Sequence, residues 1–441
     1  MDIKKRRELL IPKKKKEDKD DDGLFDDLKD NIKDQTEEGS DEDEEEEKKV
    51  PEKTGKKTFL KVIFVVLIIL ILVVGGLGIY TSINTGYYNG YEVVASYELD
   101  DAMNVEYMPY SDNCIKYSRD GVSYINKTNQ TVWMESYALK MPKATVKGDY
   151  IVVADYNGDR AYLFGKEGKL KDITTQYNII DADVALQGVF AVVLESDVGN
   201  QIIIYDKNGE KVAEISTTVE SSGFPVDIAL SDDGKKLFVS FAYFDGMTLK
   251  NQIGTYNFGE VGQNENADRF MGGFELDNDT LVSKVSFIDN DNVCAFGDNK
   301  LIFYEMREKP VETARVEYTE EINSIFHNQK YVGCVSAKSQ SDAMHAYEIR
   351  AYNNKGRLTC QIDLDIAFNH ISSTENYIIV TGDSECRIYD YSGRTVFAYS
   401  FPKRLVNLIP TANPKEYIAL YEGGSEFIKL IYNKEETTEV K

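Results

Sequence analysis

From Tyr91 to the C-terminus the chain is a succession of short apolar or alternating runs: DYIVVADY, VFAVVLES, KKLFVSFAY, NVCAFGD, KYVGCVSAK, NYIIVTGD and EYIALYEG. Each is followed by a turn and a further run carrying an aromatic residue, the pattern of hairpin-linked strands. Apolar positions do not recur at helical spacing over any window of about 12 residues, which predicts an all-β fold. The runs also repeat. YLFGKEGKL, IIYDKNGEKV, RAYNNKGRL and RIYDYSGRTV each place an aromatic four residues before a turn glycine, at Phe164/Gly168, Tyr205/Gly209, Tyr352/Gly356 and Tyr389/Gly393. Degenerate copies carry Tyr124, Tyr256, Tyr304 and Tyr432, so eight anchors recur about every 44 residues. A unit of that length holding four short strands is the size of a β-propeller blade. The prediction is an eight-bladed β-propeller, with seven blades as the alternative count, over residues 91–435, followed by a C-terminal tail at 436–441.

The repeat is out of phase with the termini. The last unit offers three strands, while YEVVASYELD at 91–100 precedes the first complete unit, so the N-terminal strand is expected to supply the fourth strand of the final blade. The chain would then enter the ring on the face carrying the turns between third and fourth strands. The connections between second and third strands lie on the other face, and three of them read as extended loops: Glu195 to Asn200, Tyr243 to Asn251 and Ala337 to Ala346. Loops clustered on one face suit binding. The long turn from Gly259 to Asp268 lies on the opposite face.

Before the repeats the pattern changes. Val62 to Tyr91 contains no charge, and VIFVVLIILILVVGGLGIY at residues 62–80 is long enough to cross a bilayer core of roughly 30 Å. This predicts a retained transmembrane helix over residues 58–80, with the lipid bilayer contacted by 59–80 and a tether at 81–90. Lys53, Lys56, Lys57 and Lys61 flank its N-terminal side, which places the N-terminus in the cytoplasm and the C-terminal domain outside. Residues 1–57 hold 16 Lys/Arg against 21 Asp/Glu and few apolar residues, the composition of a disordered cytoplasmic tail. Leu24, Phe25, Leu28 and Ile32 within it fall near one face at helical spacing. The layout of charged tail, single span and Tyr-rich, Trp-poor repeats resembles a family of bacterial, mostly Firmicute, single-span membrane proteins with a propeller-like exported domain. That resemblance implies the surface of a Gram-positive cell and transfers no residue roles. LSDDGKKLFVSF at 230–241 resembles the turn and second strand of bacterial propeller repeats of the surface-layer and quinoprotein-like kind, and implies the fold alone.

Charge removes one class of function. Residues 81–441 hold 34 Lys/Arg against 54 Asp/Glu, and so acidic a surface repels phosphate backbones, so no nucleic-acid partner is expected. The three histidines, His327, His345 and His370, show no metal-binding spacing, and nucleophile-elbow and P-loop patterns are absent. Asp155, Asn157 and Asp159 match the opening of a calcium loop, but Arg160 and Lys166 stand where such a loop needs Gly and Glu, so the stretch reads as a hairpin turn. Trp133 is the only tryptophan, which counts against a quinone-binding propeller. The five cysteines, Cys114, Cys294, Cys334, Cys360 and Cys386, sit in strand-like apolar runs without CxxC spacing and read as buried thiols. No residue is assigned a catalytic, cofactor-binding or metal role, no cofactor is expected, and the protein is not read as an enzyme. The expected function is a membrane-anchored, extracytoplasmic binding or scaffolding module engaging envelope proteins or a cell-wall component. The alternatives are an exported hydrolase or lyase acting on glycan in the funnel, and an envelope sensor signalling through the tail.

Overall fold

The computed structural model describes residues 63, 65–68, 70, 87–98, 105–126, 128, 130–220, 222–266, 268–338 and 346–432. From Gly86 onward the chain is one compact unit. Its strands form eight four-stranded antiparallel sheets, numbered here as blades 1 to 8: residues 106–136, 142–174, 178–217, 224–275, 282–317, 322–364, 370–400, and 405–431 completed by Gly90–Glu98. The eight-bladed propeller is therefore the fold.

Within a blade, position decides residue type. The second and third strands have neighbours on both edges and another blade on each face, so they are continuous apolar runs such as Tyr150–Asp155 (YIVVAD) and Phe190–Ser196 (FAVVLES), buried nearly throughout. The fourth strand lies at the circumference and alternates, as in Pro310–Glu317 (PVETARVE), where every second residue is exposed. Seven of the eight aromatic anchors sit at a β-bulge between third and fourth strands, at Tyr124, Phe164, Tyr205, Tyr256, Tyr304, Tyr352 and Tyr389. The extra residue on the fourth strand increases local twist there. The turn glycines Gly168, Gly209, Gly356 and Gly393 have φ of 115°, 77°, 70° and 83°, the left-handed region that the turn following each anchor requires. Tyr432 is not an equivalent anchor: it lies beyond the end of the third strand of blade 8 and is 54% exposed.

The blades are joined by eight apolar clusters, one for each pair of neighbours. Val152 and Leu163 of blade 2 meet Ile179 and Phe190 of blade 3, and Ile388 and Phe397 of blade 7 meet Leu408 and Ile428 of blade 8. The eighth cluster closes the ring, packing Cys114 of blade 1 on Ile409, Ile418 and Phe427 of blade 8. It is the smallest. Closure is reinforced by the N-terminal strand, which pairs from Gly90↔Ile431 to Glu98↔Gly424 as the fourth strand of blade 8. Tyr88 is buried against blade 7, its N–H donating to the Val396 carbonyl at 2.7 Å, and Tyr91 packs on Tyr399 and Phe401. The expected use of this strand holds. It also fixes where the chain enters, at the end of blade 8 that carries the turns between third and fourth strands.

Three expectations are corrected or fall elsewhere. The stretches at Glu195–Asn200 and Tyr243–Asn251 are not loops: the strands run on to two-residue turns, with the last pairs Ser196↔Gly199 and Asp245↔Thr248, because alternation continues and Gly246-Met247, with Gly246 at a φ of 65°, makes the turn. The Gly259–Asp268 turn holds a short helix, α1 (Glu260–Glu265). Of the expected membrane span, Ile63, Val65 to Ile68 and Leu70 are helical, and its remainder, like the tail at 1–57, lies outside the described residues. Among the described residues no helix is long and apolar enough to cross a membrane.

All five cysteines are free and buried. Burial pushes the thiols of Cys114 and Cys386 up to about 12 and those of Cys334 and Cys360 up to about 11, so none is a ready nucleophile.

Two expected outcomes test the ring. Phe397→Ala, at a fully buried site between blades 7 and 8, should cost about 3–5 kcal/mol, whereas Val311→Ala on the circumference should stay within about 0.5 kcal/mol, read from urea unfolding midpoints. A chain beginning at Val105 should melt well below one beginning at Tyr87, since blade 8 then has three strands. Equal melting temperatures would show that the N-terminal strand does not hold the ring closed.

Candidate functional site

The first strands of most successive blades contact one another and so surround the axis. Each has one unpaired edge, whose buried N–H groups need partners. A bulge between first and second strands sets Asp181, Asp227, Lys284, Ser324 and Asn407 at the same register position in blades 3, 4, 5, 6 and 8. Three aspartates reach from one blade to the free edge of the next. Asp181 accepts from Ile228 N–H at 3.2 Å, Asp183 from Leu230 N–H at 2.7 Å, and Asp227 from Val285 N–H at 2.7 Å. Tyr156 donates to Asp181 at 2.8 Å, and Lys284 donates to Asp227 at 2.9 Å. Lys147 donates to the Leu230 carbonyl at 3.1 Å and pairs with Asp232 at 2.9 Å. Ser286 Oγ lies 3.1 Å from His327 Nδ1.

Burial dominates the electrostatics of this cluster. It pushes Asp227 up to about 7, against the pull of Lys284 and with the push of Asp181, and it raises Asp181 in the same sense. Burial also works against the Lys284 ammonium, but Asp227, Asp181 and Asp183 more than offset it and hold the lysine above its ordinary value. His327 is lowered to about 4 by burial, then by Lys284 and Lys147. The residue is also exposed to solvent, which screens the push of the two lysines. With every aspartate of the cluster engaged to backbone or lysine, the arrangement braces blades 2 to 6 to one another.

A second feature lies on the face opposite the point where the chain enters. In blade 4 the second strand (Lys236–Asp245) and third strand (Thr248–Asn257) have 10 residues each, against 7 and 6 in the first and fourth. The paired ribbon runs past the sheet by Tyr243↔Lys250, Phe244↔Leu249 and Asp245↔Thr248. It carries Phe244, Met247 and Leu249 at 67%, 99% and 44% exposure. Val198 at the tip of the blade 3 hairpin is 85% exposed, and Val219 in the linker between the two blades 52%.

The residues weighed in the sequence are dispersed. Asp155 is buried and accepts from the Lys140 and Met141 N–H groups, both at 2.8 Å, so it fastens the linker from blade 1 to blade 2. His370 opens the first strand of blade 7, and His345 lies outside the described residues. Only His327 joins the axial cluster. The bracing residues carry a signal in the sequence, the recurrence of Asp181-Ala-Asp-Val, Asp227-Ile-Ala-Leu and Lys284-Val-Ser-Phe as the last four residues of first strands.

The cluster predicts opposed pH effects. Between its ordinary value of 3.8 and about 7, Asp227 binds a proton only in the folded state, so it adds stability as pH falls through that window. His327 binds a proton only in the unfolded state between 6.5 and about 4, so it removes stability as pH falls. Asp227→Asn should therefore steepen the loss of thermal stability between pH 7 and 5, and His327→Gln should reduce it, relative to the parent. Identical slopes for all three proteins, measured by calorimetry, would refute the assignment.

Comparison with known proteins bears on fold and family. No curated protein matches the chain. Among solved structures, Chaetomium thermophilum Sqt1, bound to the N-terminus of ribosomal protein L10, superposes with a TM-score of 0.53 at 9% identity, covering 78% of this chain and 100% of Sqt1. BamB from Moraxella catarrhalis gives 0.48 at 14% identity, covering 77% and 100%, and Kluyveromyces lactis Hsv2 gives 0.43 at 10%, covering 67% and 97%. At these identities the likeness is one of fold. Residues 84–430, which take in strands of all eight blades, match the family of unknown function DUF5711, and the chain belongs to that family.

Proposed function

We propose that the protein is a membrane-anchored propeller that binds another protein, outside the cell, on the face opposite the point where the chain enters the ring. The observation that carries this reading is the closure of blade 8. The strand Gly90–Glu98 enters from the end where the turns between third and fourth strands lie, so the upstream chain joins the ring at that face. The opposite face is free of that connection, and it is the face bearing the projecting ribbon and its apolar tip.

The anchor in this reading is the uncharged stretch at 62–80, with its basic flank inside. The acidic surface disfavours nucleic acid. In this reading the protein is not an enzyme and takes no cofactor, and the axial aspartates act as struts between blades. The structure of Sqt1 with the N-terminus of ribosomal protein L10 supports the view that a fold of this kind can accept a polypeptide ligand.

Topology is tested with tags placed before Asp2 and after Lys441 in cells treated with protease. The C-terminal tag should be lost and the N-terminal tag retained, and both should resist extraction by alkaline carbonate. Retention of the C-terminal tag on intact cells, or release of the protein by carbonate, would overturn the anchored, outward-facing reading.

A further inference from the structure

Five exposed apolar side chains of blades 3 and 4, Val198, Val219, Phe244, Met247 and Leu249, belong to one connected corner. The turn after strand Lys211–Thr217 folds back on itself, with the N–H groups of Ser222 and Gly223 both bound to the Thr218 carbonyl. Gly199, in the blade 3 hairpin, lies so close to Thr217 that a Cβ there would come within 2.4 Å of its carbonyl oxygen. Gly223 sits as tightly against Ala242 and Tyr243 of the blade 4 ribbon, and the Gln252 amide donates to the Ser222 carbonyl at 2.7 Å. The two hairpins and the turn between them are thus packed together at their bases, and their tips present Val198, Val219, Phe244, Met247 and Leu249. Single exposed apolar residues are ordinary on any protein surface, but five on one supported corner are not. The two-residue turn Gly246-Met247 could carry a polar residue at its tip, yet the side chain there is methionine at 99% exposure. Methionine adapts to irregular apolar partners.

The charges around this corner indicate what covers it. Glu195, Asp197 and Glu220 are exposed between the apolar tips, and none of the three pairs with a lysine or arginine among the described residues. The one lysine of the ribbon tip, Lys250, is held by Asp245 at 2.6 Å. An anionic lipid surface would be repelled by these carboxylates, and a second copy of the same corner would bring like charges together.

We propose that this corner docks a segment of another protein whose apolar residues are flanked by lysine or arginine. The apolar side chains fill the spaces among Val198, Val219, Phe244, Met247 and Leu249, and the basic residues meet Glu195, Asp197 and Glu220. The proposal rests on the protein-binding reading given above and adds the site and the chemistry of the partner.

The test is photo-crosslinking in cells from benzoylphenylalanine placed in the full chain at Met247 or Val198, with Val311 on the circumference and Ala412 on the opposite face as comparison positions. The cross-linked peptides are sequenced by mass spectrometry. The expected result is a segment of another protein with net positive charge and apolar residues, captured from Met247 and Val198 and not from Val311 or Ala412. The double reversal Asp197→Lys with Glu220→Lys should reduce that capture at least tenfold while leaving the melting temperature unchanged, since both side chains are exposed. Capture of lipid, of a second copy of this chain, of its own Lys-rich N-terminal segment, or of an acidic segment would overturn the proposal, as would capture indifferent to the charge reversal. Capture of a protein only from Ala412 or Val311 would remove the docking corner and leave the protein-binding reading standing. Capture of no protein from any of the four positions would overturn both.

Discussion

The structure depends on one constraint: a four-stranded sheet whose central strands are apolar on both faces has no stable existence alone and must be covered on each side. Tyr150–Asp155 and Phe190–Ser196 leave no polar face to turn to water. Every blade therefore needs two neighbours, and the arrangement that gives every blade two is a ring. Short turns follow from this, because each strand must return at once to the same sheet, and so does the sharing of apolar clusters between blades rather than within them.

The same constraint explains how much could be read in advance. Anchor aromatics and turn glycines recur because each blade solves one local problem, a bulged hairpin with a left-handed glycine after it, and local problems leave periodic marks. Phe164 with Gly168 and Tyr389 with Gly393 are such marks. Tyr432 shares the local pattern without the role, because the strand it would anchor comes from the other end of the chain. The axial braces were harder to see. Asp181 and Asp227 act on N–H groups of residues in the next blade, and nothing in their immediate surroundings states which backbone group lacks a partner. The length of the blade 4 ribbon marks an insertion in the sequence, and its alternation, with Phe244 facing Leu249 across the pair, marks two strands rather than a loop.

Two kinds of polar and apolar surface are thereby separated in space. Along the axis, charged side chains are spent on satisfying the edges of first strands, and the pH behaviour of Asp227 and His327 belongs to the stability of the ring. On the corner formed by the hairpins of blades 3 and 4, apolar side chains are held away from any core. The inner cluster keeps the scaffold in register, and the corner is free to vary in sequence without disturbing it, since its supports are backbone contacts at Gly199 and Gly223.

The pairing of Gly90 with Ile431 also sets a schedule. The strand that seals the ring is made first, and its partner is made last. At a synthesis rate of about 5–20 residues per second, the first strand waits for tens of seconds before its partner exists. Throughout that interval blade 1 has one uncovered flank, and Val93 and Val94 belong to a strand without a sheet. A chain broken off before Ile431 can never form the pair with Gly90, so incomplete products stay open and recognisable, and only a copy that extends through Ile431 becomes a closed object.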